Sequence, residues 1–436
     1  MTTPIFDFVS DYADSGSSRF HMPGHKGIGA LGVEKYDITE ISGADVLYSA
    51  NGIINESENN LSTLYGTAHS FYSTEGSTLA IKAMLALVSE RLGEDRPLIL
   101  AARNVHAAFV RAAALLDLDA EFIYPSEECH LCKCDITPED VRRAIKSADK
   151  KPCAIYLTSP DYLGNILDIR GIAEACSESG IPLLVDNAHG AYLKFLKDDI
   201  HPITLGAAMC ADSAHKTLPV LTGGAYLHIS GNYPEYAERA RGALSLFAST
   251  SPSYLTLASL DLCNKRLSED YPERIRTMAD KSVEIKAKIL ELGLPICDSE
   301  PLKIVINQGK RLADHLGKNG IEVEFSDRDY TVLMLTPENG DEDFTRLINA
   351  LSRYKAESVK GKFYSSAPHE RVCTIRRAVL SPSETVSVEN SAGRICASPM
   401  VSCPPAVPIV ISGERITDND VALFRHYGVE NISVIK

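Results

Sequence analysis

Two residues of this sequence lie where covalent and electrostatic chemistry could occur. Lys216 lies in the segment SAHKT, after the apolar stretch AAMCAD and shortly before a pair of glycines. A lysine buried at a strand end can lose its proton and form an imine with an aldehyde. Asp186 ends the apolar stretch IPLLVD, and ligands of open α/β sheets bind beyond the carboxyl ends of the strands. Taken singly, the lysine fits a surface position and the aspartate a strand-end cap or ion pair.

Two further segments could hold a planar group that carries a phosphate. Residues 73–78 (STEGST) open a helical pattern, and free N–H groups at a helix N-terminus favour an anion. Helix capping explains the Ser and Thr residues equally well. His106 follows the stretch PLILAARN and could stack on a planar cofactor, although a buried structural histidine is the alternative. Along the chain, the possible phosphate-binding segment 73–78 comes first, followed by His106, Asp186 and Lys216. This order favours a single cofactor site.

These residues are expected at corresponding ends of one sheet. The pattern from Glu75 to Leu92 is apolar at helical spacing and predicts a helix. Short apolar stretches recur between helical patterns, which predicts an α/β fold with a mainly parallel sheet covered on both faces; they are PLILAA, AEFIYP, CAIYLTSP, IPLLVDNAH, AAMCADSAHK and GGAYLHI. After about Leu260 the patterns become long, charged and helical, as in a smaller α+β domain. We expect an extended N-terminal arm over 1–65, a large domain over 66–265 and a C-terminal domain over 266–436.

Composition excludes several classes of function. The 436 residues are 44% hydrophobic, enough to bury a large core. A formal net charge of −14 disfavours a nucleic-acid backbone or an anionic membrane as partner and is compatible with small cationic substrates. The sequence has no apolar stretch of roughly 18 residues and no signal-peptide pattern at its start, so we expect a cytoplasmic protein.

The cysteines are expected to be free thiols. There are 11 of them, an odd number scattered along the chain. Cys129, Cys132 and Cys134, with His130 between them, could bind zinc, but the sequence has no second pair of ligands at a suitable spacing. A surface loop is the favoured interpretation of this cluster, and we expect no metal.

Together the motifs resemble the Orn/Lys/Arg decarboxylase family of pyridoxal-phosphate (PLP) enzymes, in the short form that lacks an N-terminal wing domain. The resemblance runs almost from end to end and is most specific in FHMPGHKG (Phe20–Gly27) and SAHKTLP. It includes YDITEISGADVL, EGST, RNVH, TSPDYLGNILDI, DNAHGAY, STSPSYLTLASLD and SAGRICASPMVSCPPAVPIVISGE. It implies fold type I, the PLP-dependent transferase-like fold of aspartate aminotransferase, in the large domain.

The resemblance also implies roles for residues. Lys216 would hold PLP as a Schiff base, Asp186 would pair with the ring nitrogen, and His106 would stack on the ring. The other residues expected to bind the cofactor are Gly76, Ser77, Thr78, Ala188, His189, Ser213, His215 and Thr250. Thr250 would reach the phosphate across a dimer interface. The expected catalytic residues are Lys216, Asp186, His106 and His215. His25 and Lys26 would border the active site, or else belong to a turn that holds the arm.

The sequence departs from the family's pattern at a few positions. The family often has Glu at Asn187, Cys-His-Lys-Ser at Val105–Ala108 and Gln at Gly223. Near the C-terminus it usually has Ala-Glu at Ala397-Ser398 and Pro-Tyr-Pro-Pro-Gly at Ser402–Ala406. These changes spare the cofactor residues, and by the resemblance most of them would fall near the distal end of the substrate or at the rim of the active site. Ser398 in place of a carboxylate removes an obvious partner for a substrate cation.

The expected function is PLP-dependent decarboxylation of an amino acid, preferably arginine, lysine or ornithine, to an amine and carbon dioxide in polyamine biosynthesis. The alternatives are another PLP reaction on the same fold, such as elimination, aldol cleavage or amino transfer, and a non-catalytic regulatory homologue. The intact Lys216 and Asp186 argue against the regulatory alternative. The expected partners are a small amino-acid substrate and a second copy of the chain, as a homodimer or larger assembly, with neither nucleic acid nor membrane.

Overall fold

In the computed structural model, the described residues are 1–89, 96–125, 131–356, 368–398, 401–403 and 407–436. The chain divides into two compact units, each formed by two separate stretches. The first unit is Met1–Glu90 with Leu184–Arg276, and the second is Arg91–Leu183 with Thr277–Lys436. The domain limits near residues 65 and 265 stay a prediction. Among the described residues, no helix combines the length and apolarity needed to cross a bilayer.

Helices and strands alternate along most of the described chain. The helices are α1 (Pro4–Asp14), α2 (Ile53–Tyr65), α3 (Ser77–Ser89), α4 (Ala107–Leu116), α5 (Pro138–Ser147), α6 (Ile169–Glu178), α7 (Ala214–Thr217), α8 (Glu235–Ser245), α9 (Tyr254–Leu267), α10 (Tyr271–Glu291), α11 (Lys310–Lys318), α12 (Asp341–Leu351), α13 (Ile375–Leu380) and α14 (Asp418–His426). The strands are β1 (His69–Ser73), β2 (Leu98–Ala102), β3 (Asp119–Ile123), β4 (Ala154–Thr158), β5 (Leu183–Asp186), β6 (Met209–Asp212), β7 (Ala225–Ile229), β8 (Ile296–Cys297), β9 (Lys303–Ile306), β10 (Phe325–Ser326), β11 (Thr331–Met334), β12 (Ser383–Ser387), β13 (Val401–Cys403), β14 (Val407–Val410) and β15 (Asn431–Ile435). Short 3-10 turns cover Glu34–Tyr36, Leu47–Ser49, Ala191–Phe195 and Val388–Asn390.

In the first unit, four strands lie in the order β1-β7-β6-β5. β5 and β6 are parallel, with Asp186 opposite Ala211, whereas β7 is antiparallel to both β6 and β1. Every residue of β5, β6 and β7 is buried, and helix α3, which is apolar along most of its length, packs on β6 and β7. The carboxyl ends of β5 and β6 therefore lie side by side at one edge.

The N-terminal helix α1 is held by a buried carboxylate from α9. Asp261 Oδ2 accepts hydrogen bonds from the backbone N–H groups of Ile5 and Phe6, at 2.9 and 3.0 Å. These are groups that a helix N-terminus leaves without an internal partner. Burial raises the pKa of Asp261 to about 6. This contact joins residues that lie more than 250 positions apart in the sequence.

In the second unit, β4, β2 and β3 form a parallel arrangement in that order. A separate antiparallel sheet has the order β10-β11-β9-β8, and two smaller antiparallel pairs join β12 with β15 and β13 with β14. Helix α5 begins with a capping box in which Thr137 and Asp140 bond each other's backbone N–H groups. A hydrophobic cluster that includes Leu131, Val305 and Phe424 fills the interior.

The predicted α/β class is confirmed, and the six apolar stretches form β2 to β7. Strand β1 was missed because its sequence, HSFYS, carries polar residues and shows little apolar periodicity. The helix predicted from Glu75 begins instead at Ser77, because Gly76 adopts a φ of +72° before it. Residues 1–65, expected to form an extended arm, contain helices α1 and α2.

Candidate active site

Lys216 lies beside an imidazole at the edge where β5 and β6 end. It belongs to the short helix α7, which follows β6 directly. The Lys216 Nζ atom is 3.2 Å from Nε2 of His189, a buried residue that follows β5. A primary amine and an imidazole at this distance can exchange a proton. The contact brings together two of the predicted residues, which the sequence separates by 27 positions.

Asp186 is the last residue of β5 and is only 2% exposed. Its Oδ1 atom accepts a hydrogen bond from the backbone N–H of Ala188, at 3.2 Å. Ala188 is also buried. The turn after the strand thus holds this carboxylate at the same edge as Lys216, as predicted from the end of the IPLLVD stretch.

Two serine hydroxyls meet at the N-terminus of α3. Ser213 Oγ, which follows β6, donates a hydrogen bond to Ser77 Oγ at 2.7 Å. Ser77 is the first residue of α3 and Thr78 the second, so their N–H groups lie at the positive end of the helix dipole. Hydroxyls and helix N–H groups together suit a phosphate.

The loop before α3 is held by a close backbone approach. The Gly76 N–H donates to the carbonyl of Gly223 at 2.8 Å, and Ser73 Oγ donates to the carbonyl of Gly76 at 2.9 Å. Gly223 has a φ of +96°, and a Cβ atom there would lie 2.8 Å from the Thr74 carbonyl oxygen. Glycine is required at this position because a side chain would be strained and would push the loop away.

His215 is oriented by the same glycine turn. Its Nδ1 donates to the carbonyl of Gly224 at 2.9 Å, and its backbone N–H donates to the same oxygen at 3.1 Å. Burial lowers the pKa of His215, the bond to Gly224 raises it, and the charge of Lys216 lowers it further. The net shift is downward, which favours a neutral imidazole at pH 7. The predicted role of His215 in catalysis stays a prediction.

The local surroundings of two other predicted cofactor residues, His106 and Thr250, leave their roles as predictions. His106 lies in the second unit, where its Nδ1 caps helix α4 by accepting from the Ala108 N–H at 3.1 Å. Its stacking role stays a prediction. Thr250 is exposed, and its neighbour Ser249 donates a backbone hydrogen bond to Glu75 Oε1 at 2.7 Å. The Thr250 segment therefore lies beside the loop that precedes Ser77 of the same chain. The predicted contact of Thr250 with phosphate across a dimer interface stays a prediction.

The predicted position of His25 and Lys26 at the border of the active site stays a prediction. His25 contacts Asp37 at 3.1 Å, and Lys26 is exposed with a φ of +55°.

The predicted surface loop at the cysteine cluster is only partly described. Cys129 and His130 lie outside the described residues. Cys132 and Cys134 are buried, so the surface-loop interpretation is wrong for them; apolar neighbours such as Leu131 draw this segment into the interior.

Sequence reasoning missed a buried polar network directly behind the site. Asp212, the last residue of β6, accepts hydrogen bonds from Asn187 Nδ2 at 2.7 Å and from His201 Nε2 at 3.0 Å. His228 Nε2 lies 3.4 Å from the same carboxylate. We call Asn187, His201, Asp212 and His228 the Asp212 network. The signal in the sequence is an acid at the end of an apolar stretch, which AAMCAD shares with IPLLVD.

Comparison with known proteins identifies related sequences over nearly the whole chain. The model of the Orn/Lys/Arg decarboxylase major domain matches residues 3–308, and the model of the C-terminal domain of the same family matches residues 362–429. An arginine decarboxylase of Halalkalibacterium halodurans is 28% identical, covering 97% of this chain and 93% of that protein. The uncharacterized protein YaaO of Bacillus subtilis is 29% identical with the same two coverages.

Solved structures of lysine decarboxylases share the fold. The enzyme of Francisella novicida matches with a TM-score of 0.83 and 18% identity, covering 100% of this chain and 81% of that one. The constitutive lysine decarboxylase of E. coli matches with a TM-score of 0.80 and 17% identity, covering 100% and 82%. At such identities the likeness concerns the fold.

Proposed function

This chain belongs to the Orn/Lys/Arg decarboxylase family, and we propose that it decarboxylates arginine, in preference to lysine or ornithine, at the site around Lys216. The chain is a PLP enzyme that converts a basic amino acid into an amine and carbon dioxide. Relatives from Halalkalibacterium halodurans and Bacillus subtilis carry the name arginine decarboxylase. The net charge of −14 is compatible with a cationic substrate.

The residues at the ends of β5 and β6 fit PLP. The Ser77 and Ser213 hydroxyls, 2.7 Å apart at the start of α3, would hold the phosphate. Because Gly223 has no Cβ atom, the Thr74 carbonyl in the loop before α3 can lie close to the backbone of Gly223. Asp186, buried at its strand end, would keep the proton on the ring nitrogen. The Lys216 amine would hold the cofactor covalently.

PLP, when bound, supplies an aldehyde that captures the substrate amine and a ring that accepts the electrons left by carbon dioxide. The chain's own residues then manage protons. The contact between Lys216 Nζ and His189 Nε2 at 3.2 Å carries this part of the proposal. Lys216 or His189 would return a proton to the carbon from which carbon dioxide departed, and each can replenish the other.

The test compares the wild-type protein, Lys216→Ala and Lys265→Ala, an exposed lysine on α9. Each is mixed with PLP, its visible absorbance is recorded, and amine and carbon dioxide are measured from arginine, lysine and ornithine. We expect the first variant to lose covalent PLP and amine formation, and the second to behave as wild type. A preference for lysine or ornithine would contradict the substrate, and a keto acid or aldehyde product would contradict decarboxylation. A fully active Lys216→Ala variant would contradict the site.

We also propose that the chain acts in the cytoplasm, in polyamine biosynthesis, as a homodimer. Large apolar side chains between residues 20 and 31 are exposed in the single chain, among them Phe20 at 96%, Ile28 at 80% and Leu31 at 83%. Exposed apolar side chains concentrated in one segment favour a protein partner, and a second copy of the chain would cover them. Light scattering tests this directly, since a monomer at micromolar concentration would contradict it. Cell fractionation and measurement of the amine pool in a deletion strain test the other two points.

A further inference from the structure

A carboxylate that has no place in the proposed chemistry is fully buried one residue before Ser213. Asp212 is 0% exposed and receives hydrogen bonds from two side chains that are also 0% exposed, Asn187 and His201. We propose that Asp212 is a positioning residue which, through Asn187, holds the β5 and β6 strand ends at the spacing the cofactor site needs. This inference rests on the proposed function, because it assumes that the site at these strand ends binds the cofactor.

The geometry ties the two strand ends twice. In the backbone, the Asn187 N–H donates to the carbonyl of Ala211 at 2.9 Å, continuing the parallel pairing of β5 with β6. In the side chains, Asn187 Nδ2 donates to Asp212 Oδ1 at 2.7 Å. Asn187 directly follows Asp186, and Asp212 directly precedes Ser213. The turn that carries the acid therefore cannot move independently of the turn that carries Ser213 and Lys216.

The orientation of the Asn187 amide is set by a glycine. A Cβ atom at Gly190 would lie 2.0 Å from Asn187 Oδ1, so the missing side chain leaves the space that this amide occupies. The Gly190 N–H donates to the Asn187 carbonyl at 2.8 Å, which closes the turn around it. A side chain fixed by packing and by a hydrogen bond transmits position better than a mobile one, because it has fewer rotamers to visit.

The carboxylate of Asp212 is stabilised inside the network. Burial alone would raise the pKa of Asp212, but the electrostatic interaction and hydrogen bond with His201, together with the contact with His228, outweigh burial and hold that pKa well below 3.8. His228 in turn contacts Ser70 Oγ through Nδ1, at 2.7 Å. Both carboxylate oxygens therefore have partners at ordinary hydrogen-bond distances, and removal of the carboxylate would leave His201 and Asn187 buried with donors unsatisfied.

A metal is the competing explanation for this cluster. The ligand atoms of His201, Cys210 and Asp212 lie within 4.8 Å of one another, and zinc binds such groups. The hydrogen bonds from Asn187 and His201 already occupy the two carboxylate oxygens, one each, so both oxygens of Asp212 have partners without a metal. Metal analysis of the purified protein decides between the two.

The test uses Asp212→Ala, Asp212→Asn, Asn187→Ala and the double variant Asp212→Ala/Asn187→Ala. A displaced site costs about 10- to 100-fold in kcat, with KM for the amino acid changed less than about threefold and PLP affinity reduced. Asp212→Asn keeps the shape and one acceptor, so we expect it to recover part of the loss. Because the two residues act through one hydrogen bond, we expect the double variant to be no worse than the poorer single variant.

The matched control is Glu58→Gln, which alters another carboxylate of the first unit that is 0% exposed and hydrogen-bonded to Arg241 and to the Tyr72 N–H. We expect it to lower the melting temperature but to keep kcat within about twofold. Wild-type kcat and PLP affinity in folded Asp212→Ala, or additive losses in the double variant, would overturn the proposal. So would one zinc per chain that is lost with Asp212. If neither the wild type nor any variant forms an amine, the proposed function fails. The inference about Asp212 is then decided by PLP affinity alone, through whether the losses caused by Asp212→Ala and Asn187→Ala are non-additive in the double variant.

Discussion

A buried aspartate of the second unit should make stability depend on pH. Asp161 is 2% exposed, and its Oδ1 accepts from the N–H groups of Leu163 and Asn165, both at 3.0 Å. Its Oδ2 is buried and has no hydrogen-bond partner among the described residues. Burial raises the pKa of Asp161 from 3.8 to about 7, although these backbone bonds and the charge of Lys303 oppose the shift. Replacing this residue by asparagine removes the charge and keeps the Oδ1 acceptor.

The sign follows from the direction of the shift. Between about pH 4 and pH 7 the folded state holds a proton that the unfolded state has released, so stability falls as pH rises through this window. The loss is complete above pH 7, and a pKa moved from 3.8 to about 7 corresponds to at most about 4 kcal/mol. Asp161→Asn should therefore be more stable than wild type above pH 7, by up to that amount. Below pH 4 the difference should vanish.

The assay is urea unfolding of the PLP-saturated protein at half-unit steps from pH 4 to pH 8. Asp149→Asn, an exposed aspartate of the same unit, is the control and should follow the wild-type profile. Parallel profiles for wild type and Asp161→Asn would refute the reasoning, because the variant lacks the titrating group. A wild-type stability that rises from pH 4 to pH 7 while that of the variant stays flat would refute the sign.

Two further predictions concern buried contacts. Glu414→Ala removes the carboxylate that lies 3.2 Å from the buried guanidinium of Arg103, and it should lower the free energy of unfolding by about 3–5 kcal/mol in urea titrations. Adding Arg103→Met should recover part of this loss. A further loss in the double variant would contradict the pairing. Gly223→Ala places a side chain at a φ of +96° and 2.8 Å from the Thr74 carbonyl, so it should cost about 1–3 kcal/mol and weaken PLP binding, measured by calorimetry. Gly231→Ala meets nothing within 4 Å and should leave both quantities unchanged.

Local patterns were sufficient for the elements that carry the site. The apolar stretches IPLLVD and AAMCAD each end in a buried acid, and they form β5 and β6. A run of apolar residues that ends at a polar one indicates where a buried strand stops, so the positions of Asp186 and Lys216 could be predicted. Strand β1 could not, because the burial of its polar residues Ser70 and Ser73 depends on pairing with β7, which lies about 150 residues later.

The sequence by itself determined the class of fold, the strands β2 to β7 and the family, because periodicity and motif spacing are local properties of the chain. Only the tertiary structure decided which polar groups meet. Ser77 and Ser213 are 136 positions apart, and Asp261 caps a helix 256 positions away. The contacts of Asp212 with Asn187 and His201 depend on the register of β6 against β5 and on the path of the loop between them. A hydrogen bond requires atoms within about 3 Å, and a distance that short between remote residues is a property of the packed sheet.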